Sequence, residues 1–66
     1  MELTVNGTTR RLPSGTTLTG LVDTLTTVHR GLAVAVNGEV VRRADWPTTP
    51  LRSGDRVEVL TAAQGG

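Results

Sequence analysis

Residues 3–12 read "LTVNGTTRRL", and this stretch decides how the rest of the chain folds. Leu3 and Val5 alternate with polar neighbours, which is the period-2 pattern of a strand with one buried face. The Asn-Gly pair that follows tolerates a positive φ at both positions and therefore predicts a two-residue hairpin turn. The segment "TTRRL" returns as a second strand, and we expect Leu12 to point into the same interior.

A second Asn-Gly pair marks a second hairpin in the middle of the chain. The run "LAVAV" at 32–36 is nearly continuous and apolar, which is typical of a strand covered on at least one face. Asn37-Gly38 again predicts a tight turn, and "EVV" at 39–41 returns as the partner strand. After an "SGD" turn, "RVEVLT" at 56–61 is the last predicted strand.

An amphipathic helix is predicted between the two hairpins. Four apolar residues occur at the i, i+3, i+4 and i+7 positions of one helix face: Leu18, Leu21, Val22 and Leu25. The hydroxyl of Thr16 or Thr17 could cap the amino end. Gly31 suits a left-handed stop, which would place His29 and Arg30 at the negative end of the helix dipole.

Residues 42–50 connect the second hairpin to the last strand. Their pattern is irregular, and Pro47 and Pro50 argue against regular structure in this segment. Trp46, the one aromatic residue of the Phe, Tyr and Trp type, is expected to cover one end of the core.

The predicted order is strand, strand, helix, strand, strand, strand. The simplest closure pairs the first strand parallel with the last, deep in a mixed sheet, and packs the helix across one face. This is an α+β fold, a β-grasp (ubiquitin-like) roll with four to five strands. We expect residues 1–61 to form this domain and residues 62–66 to form an extended, flexible C-terminal tail.

Composition excludes several classes of function. Without cysteine there is no disulfide, thiolate zinc site or thiol nucleophile, and the single histidine cannot build a metal site alone. Seven arginines and six acids are dispersed along the chain, which argues against nucleic-acid binding. No membrane-spanning run or signal peptide is recognisable, so we expect a cytoplasmic protein that binds no membrane.

The carboxylates do not suggest an active site. Each occupies a turn or an alternating strand position, where a solvated side chain is the default: Asp23, Glu39, Asp45, Asp55 and Glu58. His29 is expected to be a helix-end residue rather than a catalytic acid or base. We therefore predict no catalytic residue, no bound metal and no bound cofactor.

The glycine pair at positions 65 and 66 suggests a chemical role of a different kind. Gly66 has no side chain beside its carbonyl, and Gly65 lets the backbone pass through a narrow channel. Residues 62–66 would span roughly 17 Å when extended. A carboxylate is a poor electrophile and must first become a mixed anhydride, such as an acyl-adenylate. The tail is thus predicted to be a substrate of another protein.

An ordered set of motifs resembles one family along essentially the whole chain. The motifs are "LTVNG", "LPSGTTLTGLV", "GLAVAVNGEVV", a following tryptophan, "SGDRVEVLTA" and a terminal "QGG". Together they resemble the ThiS family, the sulfur carriers of thiamine biosynthesis. The related MoaD carriers of the molybdopterin pathway share the fold and the glycine pair but tend to be longer.

The resemblance implies a reaction cycle at Gly66. A ThiF-type, E1-like adenylyltransferase would use ATP and magnesium to adenylate the carboxylate, and a persulfide from a cysteine desulfurase relay would displace AMP to leave a thiocarboxylate. ThiG, a thiazole synthase, would accept the sulfur. Gly65 and Gly66 match the functional residues of the family, and Ala62, Ala63 and Gln64 match its extended tail. The carrier alone is expected to be a monomer.

Partner recognition is predicted near the last strand. Leu60 is out of register with Val57 and Val59 and should point to the opposite side of the sheet, where it could form a docking patch with Ala62. Three arginines could meet an acidic partner surface: Arg42, Arg43 and Arg56.

Three alternatives remain open from the residues. The chain could carry sulfur to another acceptor, such as molybdopterin, cysteine or a secondary metabolite. It could be a ubiquitin-like covalent modifier that uses the same adenylation. It could also be a non-covalent binding module in which the two glycines have no chemical role.

Overall fold

The structure, a computed structural model, describes residues 1–61, so the predicted tail lies outside it. The regular elements follow one another as β1 (Glu2–Val5), β2 (Thr8–Arg11), α1 (Leu18–Leu25), β3 (Leu32–Val36), β4 (Glu39–Val41) and β5 (Arg56–Thr61), with a 3-10 helix (Arg43–Thr48) between β4 and β5. The strands form one mixed sheet in the order β2-β1-β5-β3-β4.

The last strand lies at the centre of the sheet. β5 pairs parallel with β1 through Thr4↔Arg56 and Val5↔Val57. On its other side it pairs antiparallel with β3 from Val57 to Thr61. The predicted parallel closure is confirmed, and two hairpins, one helix and a central last strand give the β-grasp architecture.

Both predicted hairpin turns are confirmed. Asn6 and Gly7 have φ values of 50° and 82°, and Asn37 and Gly38 have values of 51° and 86°. Positive φ at both central residues is the type I′ geometry, whose twist matches that of the flanking strands. Each turn sets the register of its hairpin, and the alternating residues Leu3 and Val5 of β1 and Val34 of β3 are buried in the core.

Helix α1 starts as predicted but ends earlier. Thr17 is its N-cap, since the Gly20 N–H donates to Thr17 Oγ1 at 3.3 Å. The prediction of a stop at Gly31 is wrong, because the helix ends at Leu25 and Thr26 is already extended. Thr26 Oγ1 accepts a hydrogen bond from the Val28 N–H, a local bond that competes with helix continuation.

Gly31 belongs to the turn before β3 and not to the end of α1. Gly31 has a φ of 77° and lies directly before Leu32, where β3 begins. His29 and Arg30 are therefore in the connection to β3 and not in the last helical turn. The sequence correctly indicated a left-handed glycine here, but placed it in the wrong structural context.

The expectation of irregular structure at 42–50 is also wrong in part, because Arg43–Thr48 forms a 3-10 helix. Pro47 lies inside it, and the flanking bonds run from the Asp45 N–H to the Arg42 carbonyl and from the Thr49 N–H to the Trp46 carbonyl. Proline supplies a helical φ there while neighbouring residues supply the donors.

The core lies between the sheet and α1. Its buried apolar residues come from every layer: Leu3, Val5, Leu18, Leu21, Val22, Val34, Trp46, Leu51 and Val57. Trp46 is buried, as predicted, and its Nε1–H donates to the Val41 carbonyl at 3.0 Å. Leu12 packs against this cluster, which confirms its predicted direction.

We predict that Leu21→Ala lowers the free energy of unfolding by about 2–5 kcal/mol, because Leu21 is fully buried and truncation leaves a cavity. Urea denaturation followed by Trp46 fluorescence measures this loss. Leu60→Ala is the control, since Leu60 is 64% exposed and its truncation should change stability by no more than about 0.5 kcal/mol. Equal effects of the two substitutions would contradict the assigned core.

Candidate functional site

The candidate site is the end of β5 and the tail that follows it. The predicted tail residues lie outside the described part of the chain: Ala62, Ala63, Gln64, Gly65 and Gly66. What the structure shows is the strand from which that tail starts. Thr61, its last residue, is paired with Leu32 of β3.

Two asparagine side chains hold β5, one near each end. Near its start, the Arg56 N–H donates to Asn37 Oδ1 at 2.9 Å, and Asn37 Nδ2 donates to Asp55 Oδ1 at 3.0 Å. Near its end, the Val59 N–H donates to Asn6 Oδ1 at 2.9 Å, and Asn6 Nδ2 donates to the Val59 carbonyl at 3.1 Å. Sequence reasoning assigned both asparagines to turns and missed these bonds.

The outer face of the sheet, opposite α1, carries an apolar patch. Leu60 is 64% exposed while Val57 is fully buried, so Leu60 points away from the core as predicted. Strand pairing places further apolar side chains on the same face, because Leu60 pairs with Ala33 and Ala35 pairs with Val40. We call Ala33, Ala35, Val40 and Leu60 the outer patch.

The three predicted docking arginines do not form one cluster. Arg56 is exposed and shares the outer face with Leu60, because the two residues are four positions apart in one strand. Arg42 follows β4 and lines an open groove with Val40 and Asp45. Arg43 begins the 3-10 helix. Arg56 thus borders the outer patch within β5, and Arg42 lies just after β4.

Asp55 has a structural role in the turn before β5. Its carboxylate accepts hydrogen bonds from the Arg52 N–H at 2.8 Å and from Asn37 Nδ2 at 3.0 Å. These bonds fix the turn that leads into Arg56. Asp55 therefore lies at a turn, as predicted, but its carboxylate accepts hydrogen bonds from backbone and amide donors rather than being solvated alone.

His29 and Asp23 form a polar contact that lies away from the outer patch. His29 Nε2 lies 2.6 Å from Asp23 Oδ1, although the two groups are not aligned as a hydrogen bond. The imidazole also lies beside Trp46, with ring centroids 6.0 Å apart. The pair ties the segment after α1 to the helix and to the core.

Residues 1–61 show neither a cluster of metal ligands nor a membrane-spanning helix. No group of three or more His, Cys, Asp or Glu side chains in that range is arranged to hold a metal ion. No helix in the same range has the length and apolar character needed to cross a membrane.

Comparison with known proteins places the chain in a family. The model of the ThiS family matches residues 3–66, which includes the glycine pair. The sulfur carrier protein ThiS of Thermus thermophilus is 39% identical over 62 residues, which cover 94% of this chain and 95% of that protein. The crystal structure of the thiamine biosynthesis protein ThiS from Geobacter metallireducens has a TM-score of 0.80 at 33% identity and covers 91% of each chain.

We predict that Asp55→Ala lowers the free energy of unfolding by about 1–3 kcal/mol, because two donors in the turn before β5 lose their acceptor. Glu58→Ala, three residues further along in β5, is the matched control, since Glu58 is exposed and makes no side-chain hydrogen bond among residues 1–61. Urea denaturation of the two variants measures the difference. If both variants unfold at the same urea concentration, the structural role of Asp55 is refuted.

Proposed function

The chain belongs to the ThiS family, and we propose that it is a sulfur carrier protein of thiamine biosynthesis whose reactive group is the Gly66 carboxylate. The observation that carries this proposal is the family match, which extends through residue 66 and so includes both glycines. The name of the Thermus relative, a sulfur carrier protein, supports the same function.

The proposed reaction activates the carboxylate and then exchanges one oxygen for sulfur. A Gly66 carboxylate oxygen attacks the α-phosphorus of ATP, and pyrophosphate leaves. The terminal sulfur of a persulfide then attacks the carbonyl carbon of the acyl-adenylate, and AMP leaves. A second thiol cleaves the resulting acyl disulfide, supplying two electrons and becoming a disulfide. The product is a thiocarboxylate at Gly66.

The catalytic groups in this proposal belong to partner proteins. A ThiF-like, E1-type adenylyltransferase binds ATP and magnesium, a cysteine desulfurase or another persulfide donor supplies sulfur, and a ThiG-like synthase accepts it for thiazole formation. The carrier is thus a protein co-substrate rather than an enzyme. Its own contribution is to present the tail, in which Gly65, Gln64, Ala63 and Ala62 thread into the partner's active site.

The folded domain supports this role by where its last strand lies. β5 is held by β1 and β3 at the centre of the sheet, so the tail starts from a strand fixed on both sides. The outer patch extends from β4 across β3 to β5, where its member is Leu60, two residues before the tail. We propose that the activating enzyme docks there, with Arg56, Arg42 and Arg43 facing acidic groups around the contact.

We predict that the mass of the chain ending at Gly66 rises by the difference between one sulfur and one oxygen atom. The reaction contains the activating enzyme, ATP, magnesium and a persulfide donor. A chain lacking Gly66 should show no such gain, because its terminal carbonyl belongs to the preceding residue and no longer reaches the same position. Intact-protein mass spectrometry measures the change.

The truncated chain is also its own structural control. Its urea unfolding curve should match that of the full chain, since residue 66 lies beyond the described domain. A mass gain by the truncated chain equal to that of the full chain would refute Gly66 as the reacting residue.

We predict that Leu60→Asp raises the KM of the activating enzyme for the carrier by about tenfold or more, because a charge replaces the largest apolar side chain of the outer patch. Val28→Asp is the matched control, since Val28 is 63% exposed but lies in the connection after α1, away from the outer patch. Val28→Asp should change KM by less than about twofold. Initial rates of AMP formation measure both values, and equal KM changes would place docking elsewhere.

A further inference from the structure

The two sides of β5 are not equally supported by backbone pairing. β3 pairs with five residues of β5, from Val57 to Thr61. β1 pairs with only two, Arg56 and Val57. After Val5 the chain turns back into β2, so β1 offers no further residue to the end of β5. Val59 would therefore be left without a partner on this side.

The Asn6 side chain takes the place of the missing strand residue. The backbone N–H of Asn6 donates to the Val57 carbonyl at 2.9 Å, and this is the last backbone hydrogen bond of the parallel ladder. Its side-chain amide then accepts from the Val59 N–H at 2.9 Å and donates to the Val59 carbonyl at 3.1 Å. A primary amide carries both a donor and an acceptor, as a peptide group does. The ladder is thus extended to Val59 by a side chain.

From this geometry we infer that Asn6 is a positioning residue, which fixes the end of β5 so that the tail starts in a defined place and direction. The inference rests on the proposed function, in which that tail delivers Gly66. Among residues 1–61, Val59 is the last residue of β5 with a hydrogen bond on the β1 side. Leu60 and Thr61 follow it, and the tail begins directly after them.

The turn alone does not explain why asparagine occupies this position. Asn6 has a φ of 50°, a conformation that glycine and aspartate also tolerate. Glycine would keep the turn but remove the amide. Aspartate would keep the acceptor for the Val59 N–H but lose the donor to the Val59 carbonyl. Only the amide satisfies the turn and both Val59 groups together.

The second hairpin provides a matched control within the same chain. Asn37 has a φ of 51°, precedes a glycine and also makes two side-chain hydrogen bonds. Those bonds hold Asp55 and Arg56, at the start of β5, rather than its end. Asn6→Gly and Asn37→Gly therefore remove the same side chain from the same type of turn, at opposite ends of one strand.

The first test is amide hydrogen exchange, which needs no partner protein. In Asn6→Gly we expect the Val59 amide to exchange about tenfold faster or more, because its acceptor is gone and the strand edge is open to water. In Asn37→Gly the change should fall on the Arg56 amide instead. Asn6→Asp should leave the Val59 amide closer to the native rate, since it retains the acceptor. Equal Val59 exchange in both glycine variants would overturn the inference.

The second test measures the kinetics of the adenylation reaction. KM reports how well the carrier docks, and kcat reports how well the tail places Gly66. Asn6→Gly should lower kcat by about fivefold or more, because a poorly placed reacting group loses rate even when binding persists. Its KM should stay within about twofold, because the outer patch is unchanged. Asn37→Gly, at a comparable loss of stability, should retain the native kcat. A native kcat in Asn6→Gly, or an equal fall in both variants, would refute the positioning role.

The outcome also distinguishes this inference from the proposed function. If the unaltered chain is adenylated and Asn6→Gly behaves like Asn37→Gly, the inference fails and the function stands. If the unaltered chain is not adenylated at all, the proposed function fails, and the delivery role of Asn6 fails with it. Hydrogen exchange at Val59 then still decides whether Asn6 holds the end of β5.

Discussion

The parallel pairing of β1 with β5 is the contact on which the rest of the structure depends. It joins Thr4 to Arg56 and Val5 to Val57, residues more than fifty positions apart in sequence. This pairing puts the last strand at the sheet centre and brings the buried side chains of both strands under α1. A chain of 66 residues buries a smaller fraction of its surface than a larger domain does, so its core depends on bringing these side chains together.

Much of the fold could be predicted from local chemistry. The Asn-Gly turns, the period-2 strands and the apolar face of α1 are all local signals, and each is confirmed. The two errors have different causes: the early end of α1 comes with a local bond between Thr26 and Val28, whereas the 3-10 helix depends on distant contacts. The 3-10 helix is anchored by Trp46 in the core, and the adjoining segment bonds to the start of α1 through the Leu18 N–H and the Thr49 carbonyl. Proline content alone could not indicate these contacts.

The candidate site was predictable only where it depends on one strand. Alternation in β5 was sufficient to predict that Leu60 points outward, whereas the chemical role that the glycine pair indicates for the tail stays a prediction. The rest of the outer patch depends on the register between strands, which joins Ala33 to Leu60 and Ala35 to Val40. The hydrogen bonds between Asn6 and Val59 also depend on the pairing of β1 with β5, and no local sequence pattern predicts them.

The central claim of the proposal is that the reactive group of this molecule is the α-carboxylate of Gly66. ATP–pyrophosphate exchange catalysed by the activating enzyme tests it most directly, using a chain that ends at Gly66 and one extended by a single alanine. The account predicts exchange with the first chain and none with the second, because a peptide bond leaves no carboxylate on Gly66. Equal exchange with the extended chain would contradict it.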